Sequence, residues 1–161
     1  MLFYLFYFLL SPFIFFFIYF YKFFNKKIED HFSNYHESFK KVKETLTNNN
    51  KKNIIFHAAS SGEFEQLKPI LSCVNRKKYF IIQTFTSSTI YNKECNNDSF
   101  DICCYHPLDF WWSSYIFFKT INAHKYIITR HDIWPWHMLI ANKLGVKIFY
   151  INANIHEKSI W

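Results

Sequence analysis

Glycine is scarce in this 161-residue chain, which contains only Gly62 and Gly145. Loops that cradle nucleotide phosphates need several closely spaced glycines, and the strand-to-helix turn of serine hydrolases needs two. Neither pattern occurs, which argues against P-loop NTPases, typical dinucleotide enzymes and serine hydrolases. Gly62 calls for an explanation, because it lies between two serines and a glutamate where a short apolar run gives way to a helical pattern.

Disulfide and metal frameworks are also missing from the sequence pattern. The four cysteines form no C-x-x-C pair, and two of them are adjacent in an apparent strand, so buried reduced thiols are the favoured interpretation. Five histidines raise the question of a metal: His57, His106, His131, His137 and His156. Their spacings match none of the usual ligand sets, so we expect no metal and no other cofactor.

The first 21 residues contain no charge and are almost entirely apolar, over the roughly 20 residues that a helix needs to cross a bilayer. They lack the basic start and small-residue cleavage site of a secretory signal. We therefore predict a membrane anchor helix over residues 1–24. Positive residues beside a span stay on the cytoplasmic side, and three follow at once: Lys22, Lys26 and Lys27. Ser11 and Pro12 permit a kink, so spanning and embedding both stay open.

The chain is basic, with a net charge of +7 and a pI of about 9.2. Nucleic acid is one partner that such a charge permits. The lysines, however, cluster after the anchor and in the stretch FKKVKETLTNNNKK, where attraction to anionic lipid explains them as well. No nucleic-acid-binding motif accompanies the charge, so we expect membrane lipid as a partner and no nucleic acid.

Hydrophobic periodicity predicts the elements of the remaining chain. Apolar residues recur at three- and four-residue steps from Ile28 to Leu46, which indicates an amphipathic helix followed by a polar loop, together residues 25–52. Five short apolar runs then follow, at residues 53–57, 78–85, 100–106, 125–129 and 146–152. Helical patterns separate them, at residues 62–74, 89–95, 107–122 and 134–145, and Gly145 closes the last. Residues 53–161 are therefore predicted to form an α/β, Rossmann-like domain with a parallel sheet and right-handed crossovers.

Ligands of such sheets bind beyond the carboxyl ends of the strands, where Glu63 follows the first strand. Ser60 and Glu63 have the S-x-x-E spacing of a capping box, in which the glutamate returns to the backbone amide of the cap. A glutamate in the first helical turn also has its ionised form favoured by the helix dipole, as a general base requires. From this stretch alone, the cap is the favoured interpretation and the base stays open.

Two further segments lie at strand ends. Hydroxyl groups fill the stretch TFTSST, where Thr84, Thr86, Ser87 and Ser88 could hold a sugar or phosphate or merely cap a helix. In TRHDIWPW, Arg130 is suited to binding a phosphate or carboxylate, and Asp132 to orienting a hydroxyl. A surface pair between Arg130 and Asp132 is an equally good interpretation.

Five short motifs follow one another along residues 54–160. The first is close to H-A-x-S-x-G-E and comprises His57, Ala58, Ser60, Gly62 and Glu63. The second motif comprises Thr84, Thr86 and Ser88, and the third comprises Tyr105, Pro107 and Asp109. The fourth motif comprises Asp132, Ile133, Trp134 and Pro135. The fifth comprises Asn152, Ala153, Glu157, Lys158 and Ser159. In this order they resemble the N-terminal half of the 3-deoxy-D-manno-octulosonic acid (Kdo) transferases of lipopolysaccharide synthesis, whose N-terminus is membrane-associated.

The resemblance implies a two-domain glycosyltransferase of the GT-B type, which acts at the inner (cytoplasmic) membrane without a metal. Its N-terminal domain binds the lipid A precursor, and its C-terminal domain binds the donor substrate CMP-Kdo. The resemblance makes Glu63 the base that deprotonates the acceptor hydroxyl, which attacks the anomeric carbon of Kdo as CMP leaves. The acceptor-side candidates are Ser60, Ser61, Gly62, Thr84, Thr86, Arg130 and Asp132. Gly62 would let a sugar approach the backbone closely.

The sequence departs from the family pattern in two places. Many members carry a glutamate where Arg130 stands and an arginine where Asn154 stands. We also expect the donor-binding domain to be absent from these 161 residues, so that a longer chain or a separate polypeptide would supply it. The alternative is a non-catalytic, membrane-anchored α/β binding protein or a truncated relic of such an enzyme.

Overall fold

Five parallel strands form one sheet in the computed structural model, which describes residues 2–129 and 133–152 of the chain. The strands are β1 (Lys52–Ala58), β2 (Tyr79–Phe85), β3 (Ile102–Tyr105), β4 (Ala123–Thr129) and β5 (Lys147–Ile151). The helices are α1 (Leu2–Tyr21), α2 (Lys26–Leu46), α3 (Ser61–Ser72), α4 (Ser88–Glu94), α5 (Trp111–Ile121) and α6 (Pro135–Lys143). Every strand and helix predicted from hydrophobic periodicity is present, with ends that differ by a few residues.

The strand order β3-β2-β1-β4-β5 identifies the sheet as Rossmann-like, and every neighbouring pair of strands is parallel. The chain builds outward from β1 to β3 and then returns to the other side of β1. The order therefore reverses between β1 and β4, at the position where such sheets bind their ligands. In the register, His57 of β1 lies opposite Thr84 of β2 and Ile128 of β4. The α/β, Rossmann-like prediction is confirmed.

Helices cover both faces of the sheet, and each face has its own core. On one face α2, α5 and α6 bury an apolar cluster that includes Val42, Phe117 and Ala141. On the other face α3 and α4 bury a second cluster. Alternate strand residues supply the two clusters, because successive side chains of a strand point to opposite faces. The sheet is thus buried on both sides, as its nearly continuous apolar strands require.

The cysteines follow the predicted pattern only in part. Cys103 and Cys104 of β3 are buried on opposite faces of the sheet, and burial raises the pKa of the Cys104 thiol well above its ordinary value. Cys95 is half-buried, but Cys73 at the end of α3 is exposed. All four are free thiols. The expectation of buried thiols is therefore wrong for Cys73, which lies at a helix end beyond the buried side of α3.

Gly145 ends α6 as predicted. Its φ of +74° lies in the left-handed region that glycine adopts without strain. The amide of Val146 donates to the carbonyl of Ala141 at 2.9 Å, and that of Gly145 donates to the carbonyl of Asn142 at 3.0 Å. These bonds satisfy carbonyl groups that the helix end leaves open. Gly145 thus turns the chain directly from α6 towards β5.

The uncharged N-terminal stretch forms α1, and one side of this helix contacts the sheet domain. The ring of Phe15 packs edge-on against Phe110 and Trp112, with centroids 5.1 Å apart in both pairs. The Tyr7 hydroxyl donates to a carboxylate oxygen of Asp109 at 2.8 Å. Ser11, which is fully buried, accepts a hydrogen bond of 2.8 Å from the indole of Trp136.

Within the described part of the chain, no helix is long and apolar enough to cross a membrane. The membrane-spanning form of the anchor helix predicted over residues 1–24 is therefore not supported. In the fold, Tyr7 and Ser11 of this stretch are hydrogen-bonded to the domain. The opposite side of α1 presents large apolar side chains, and Phe13, Phe16 and Phe17 are 65 %, 66 % and 70 % exposed.

Candidate active site

Glu63 lies at the carboxyl edge of the sheet, beside the position where the strand order reverses. It belongs to the first turn of α3, directly after β1, and the end of β4 lies next to it. The contact with β4 is a 3.2 Å approach of the Thr129 hydroxyl to Oε2 of Glu63. Two strands that are neighbours only in the folded sheet thus hold one carboxylate. The side chain is 8 % exposed.

Short hydrogen bonds fix the Glu63 carboxylate. The backbone amide of Ala59 donates to Oε2 at 2.7 Å, and the Ser60 hydroxyl donates to Oε1 at 3.1 Å. In return, the hydroxyl oxygen of Ser60 accepts from the amide of Glu63 at 3.4 Å. The predicted capping box is therefore present with one correction. The glutamate reaches the amide of Ala59, one residue before the cap, because the extended backbone of Ser60 aims that amide at the helix start.

The carboxylate keeps capacity for a further hydrogen bond. An ionised carboxylate has about four acceptor positions. Among the described residues, donors from Ala59, Ser60 and Thr129 occupy at most three of them, and Thr129 is also 3.1 Å from the carbonyl of His57. A substrate hydroxyl could donate its proton to the remaining position. Glu63 is thus a positioned cap whose carboxylate has an acceptor position left for a further donor.

The residues before Glu63 are open to solvent. Ser60, Ser61 and Gly62 are all exposed. A Cβ added at Gly62 would meet no heavy atom within 4 Å, and the φ of Gly62 lies outside the left-handed region. The protein's own packing and backbone therefore do not require glycine here. None of the described residues lies within 4 Å of a Cβ built there, which leaves room for a molecule from outside.

Thr84 and Thr86, two residues apart, have different surroundings. Thr84 is fully buried, and its hydroxyl contacts the carbonyl of Phe56 at 3.2 Å and the rings of two histidines. Thr86 is half-buried and lines a pocket of about 200 Å³ together with four other residues and His31. These four residues are Ser87, Ser88, Thr89 and Tyr105. Thr86 thus lines a pocket, although its hydroxyl oxygen is itself buried, and Thr84 is placed behind that surface.

Several predicted site residues lie outside the described residues. They are Arg130, His131, Asp132, Ala153, Asn154, His156, Glu157, Lys158 and Ser159. The acceptor-side roles of Arg130 and Asp132 stay predictions. The last described residue before Arg130 is Thr129, which ends β4 at the carboxyl edge of the sheet.

A buried row of three histidines lies behind this edge, and sequence reasoning missed it. The ring of His106 lies 4.0 Å from that of His57 and 4.7 Å from that of His137, measured between centroids. Thr84 joins two of them, since its hydroxyl is 3.0 Å from Nδ1 of His57 and 3.1 Å from Nδ1 of His106. The hydroxyl of Tyr126 is 3.0 Å from Nε2 of His106. His137 completes the row through a very short hydrogen bond from Nδ1 to Asp109.

Burial disfavours the charged forms of His106 and His137. It lowers the pKa of His106 well below its ordinary value, and the neighbouring histidines lower that pKa further. Burial also lowers the pKa of His137, although Asp109 acts in the opposite direction. For Asp109, burial favours a higher pKa, but hydrogen bonds from His137 and Tyr7 outweigh it and lower the pKa. Asp109 is thus an ionised carboxylate within a neutral polar network.

The histidine row does not form a metal site among the residues that the structure describes. No group of three or more histidine, cysteine or acidic side chains has the geometry to hold an ion there. Instead, each described contact of the row joins two elements of the fold. A signal for one member was available, because His106 directly follows a buried strand and lies inside the Y-x-P-x-D motif. No local signal links it to His57 or His137, which are dozens of residues away in the sequence.

Comparison with known proteins assigns the family. No curated protein matches the chain. A family model described as 3-deoxy-D-manno-octulosonic-acid transferase (Kdo transferase) matches residues 33–161, which include the whole sheet and Glu63. The match covers most of the chain, and its range includes all five motifs. The chain therefore belongs to the 3-deoxy-D-manno-octulosonic-acid transferase family, a family of glycosyltransferases that transfer Kdo.

Proposed function

We propose that this chain is the acceptor-binding half of a Kdo transferase, which transfers Kdo from CMP-Kdo to a lipid A precursor. The observation that carries the proposal is the position of Glu63. It is a buried carboxylate held by Ala59 and Ser60 at the switch point of the sheet, with open space before Gly62. A general base needs a fixed position, an ionised form and room for its substrate.

In the proposed reaction, Glu63 accepts the proton of one hydroxyl group of the acceptor sugar. The hydroxyl oxygen forms a bond to the anomeric carbon of Kdo, and the bond from that carbon to CMP breaks. The donors from Ala59, Ser60 and Thr129 hold the carboxylate in place before the proton arrives. Their hydrogen bonds limit rotation of the side chain, so little reorganisation is needed at the moment of transfer.

The acceptor-side roles follow from exposure. Ser60, Ser61 and Gly62 surround the approach to Glu63, and Thr86 lines the neighbouring pocket with the hydroxyl-bearing Ser87 and Ser88. We assign Thr84 a positioning role. Its hydroxyl is buried and contacts His57 and His106, so it can influence the substrate only through these two histidines. Arg130 and Asp132 remain proposed acceptor contacts on the strength of the motif alone.

We also propose that the exposed side of α1 binds membrane lipid, with the site on the cytoplasmic face of the inner membrane. Phe13, Phe16 and Phe17 supply an apolar surface, and Lys22 follows at the end of the helix. An apolar helix face flanked by basic residues is typical of interfacial binding. The donor-binding half would come from further chain or from a separate polypeptide, and no nucleic acid takes part.

The test of the base is Glu63→Gln, assayed together with the donor-binding domain. Glutamine keeps an oxygen for the amide of Ala59, so the fold should persist, but it cannot take up the proton. Loss of general base catalysis should lower the rate of Kdo transfer about 10²–10⁴-fold. The matched control is Glu65→Gln, two residues along α3, where the side chain is exposed and pairs with Lys68.

Both variants should unfold at nearly the same urea concentration as the unmodified protein. If Glu63→Gln transfers Kdo as fast as Glu65→Gln, Glu63 is a structural cap only. A chain that binds the lipid A precursor but supports no transfer with any donor-binding domain would be the non-catalytic binding protein instead.

A further inference from the structure

An aromatic cavity of about 360 Å³ lies apart from Glu63, between α1, α2 and the start of α5. Its apolar wall includes Phe15, Phe32, Phe39, Phe110, Trp112 and Ile116. The volume falls within the range of about 300–1,000 Å³ that small-molecule sites occupy. Edge-on packing of Phe15 against Phe110 and Trp112 sets part of the wall. The cavity is therefore formed by packed rings before any ligand enters.

The charged group of this cavity is a lysine. Lys43 lines it together with His31, His36 and the hydroxyl-bearing Tyr35 and Ser113, and no carboxylate is among the described residues that do so. Burial lowers the pKa of His31. The ammonium of Lys43 lies 4.9 Å from the centre of the Phe39 ring, so it stays at the apolar wall. An apolar interior with a basic rim complements an acyl chain attached to an anionic group.

A second observation indicates which acyl chain fits. His31 lines the aromatic cavity and also the 200 Å³ pocket of Thr86, Ser87, Ser88 and Thr89. The two spaces thus share a wall at the carboxyl edge of the sheet. A molecule with an acyl chain and a hydroxylated head group carries the groups that complement both spaces. A lipid-linked sugar has this combination, whereas a free fatty acid leaves the hydroxyl-lined pocket empty.

Helix α1 lies between the cavity and an exposed apolar surface. Phe15 of α1 forms part of the cavity wall, and Phe13, Phe16 and Phe17 are exposed on the opposite side of the same helix. A bilayer bound at that exposed surface would lie within about one helix diameter, roughly 10–12 Å, of the cavity wall. We propose that the cavity binds one acyl chain of the lipid-linked sugar acceptor and thereby selects an acylated substrate. This inference rests on the proposed function.

The test fills the cavity without disturbing the core. Ile116 is 49 % exposed at the cavity rim, so Ile116→Trp should occupy the opening and still fold. The matched control is Ile70→Trp on α3, on the other face of the sheet, where the isoleucine is 37 % exposed. Each protein is titrated with the acylated lipid A precursor and, separately, with the same head group after removal of its acyl chains. Urea unfolding checks that both variants are folded.

We expect Ile116→Trp to lose affinity for the acylated precursor only. Excluding several methylenes from the cavity should weaken binding of the acylated precursor by about tenfold or more in Ile116→Trp. Binding of the deacylated head group, and both affinities of Ile70→Trp, should stay unchanged. Equal affinity of Ile116→Trp and Ile70→Trp for the acylated precursor would refute the acyl-chain site and leave the proposed function standing. If neither probe binds the unmodified chain, the proposed function itself fails, and this inference fails with it.

A crosslinking experiment on the unmodified chain keeps the inference testable if Ile116→Trp does not fold. A lipid A precursor with a diazirine in one acyl chain should label the segments around Phe32 and Trp112. Labelling confined to the exposed side of α1, at Phe13, Phe16 and Phe17, would mean that the chain meets the acyl groups at the bilayer surface only, and would overturn the proposal.

Discussion

Asp109 joins three parts of the fold, and its replacement gives the sharpest test of the buried network. One carboxylate oxygen accepts from the Tyr7 hydroxyl of α1 at 2.8 Å and from the amide of Trp136 at 3.3 Å. The other accepts from the amide of His137 at 2.9 Å and from the His137 ring. The side chain is 4 % exposed. We therefore expect Asp109→Asn to be strongly destabilising although the two side chains have nearly the same shape.

The magnitude follows from the donors that asparagine cannot satisfy. Its NH₂ group replaces one carboxylate oxygen. In either orientation of the amide, two of the groups that donate to Asp109 therefore meet this NH₂ group instead of an acceptor oxygen. Each buried donor left without an acceptor costs about 1–3 kcal/mol. Tyr7 keeps an alternative, because its hydroxyl is also 2.7 Å from the backbone carbonyl of Asp109. The free energy of unfolding should thus fall by about 3 kcal/mol, which corresponds to a decrease in Tm of about 6–12 °C for a chain of this size.

Urea and thermal unfolding, followed by circular dichroism in mild detergent, measure this difference. The control is Asp98→Asn, at an exposed position after α4, where a surface substitution should change stability by about 0.5 kcal/mol or less. A loss below about 1 kcal/mol for Asp109→Asn would contradict the reasoning, because a buried ionised carboxylate with these partners cannot be replaced so easily.

Two further predictions use the site and its histidines. Gly62→Ala should leave the free energy of unfolding unchanged or raise it by about 0.5–1 kcal/mol, since a Cβ meets nothing there, yet it should weaken binding of the lipid A precursor. Unchanged binding in a titration would refute the close approach of a sugar to this residue. Acidification from pH 7 to pH 5 should destabilise the protein, because the folded-state pKa values of His106 and His137 lie below the ordinary 6.5, so the unfolded chain takes up protons first. Urea unfolding at several pH values measures this, and a flat profile across the window would mean that the histidines are not held neutral in the fold.

The elements of the fold were predictable because their signals are local. An apolar run such as that of β1, or the three- and four-residue steps of α2, depends on neighbours within one or two turns of chain. Gly145 is local in the same sense, because glycine after a periodic helix marks its end. These patterns also decide the sheet type, since strands that are apolar throughout must be buried on both faces.

The surroundings of α1 were not predictable in this way. The composition shows that residues 1–21 are uncharged and apolar, but it does not predict which part of the protein packs against them. In the sequence, Tyr7 and Ser11 are minor interruptions of an apolar run. In the fold, Tyr7 is hydrogen-bonded to Asp109, and Ser11 is hydrogen-bonded to Trp136. Hydrogen-bond partners that lie more than a hundred residues away in the sequence cannot be recognised from the neighbouring residues.

The candidate site, too, was predictable only where its signals are local in the sequence. The sequence by itself determined the Rossmann-like class, the cap at Ser60 and the place of Glu63 after the first strand, because each depends on residues close together in the chain. Only the tertiary structure decided that Thr129 lies against Glu63, that Thr84 is buried among histidines, and that His31 separates an aromatic cavity from a hydroxyl-lined pocket. These contacts depend on the strand order, and parallel strands bring together residues that the sequence keeps apart.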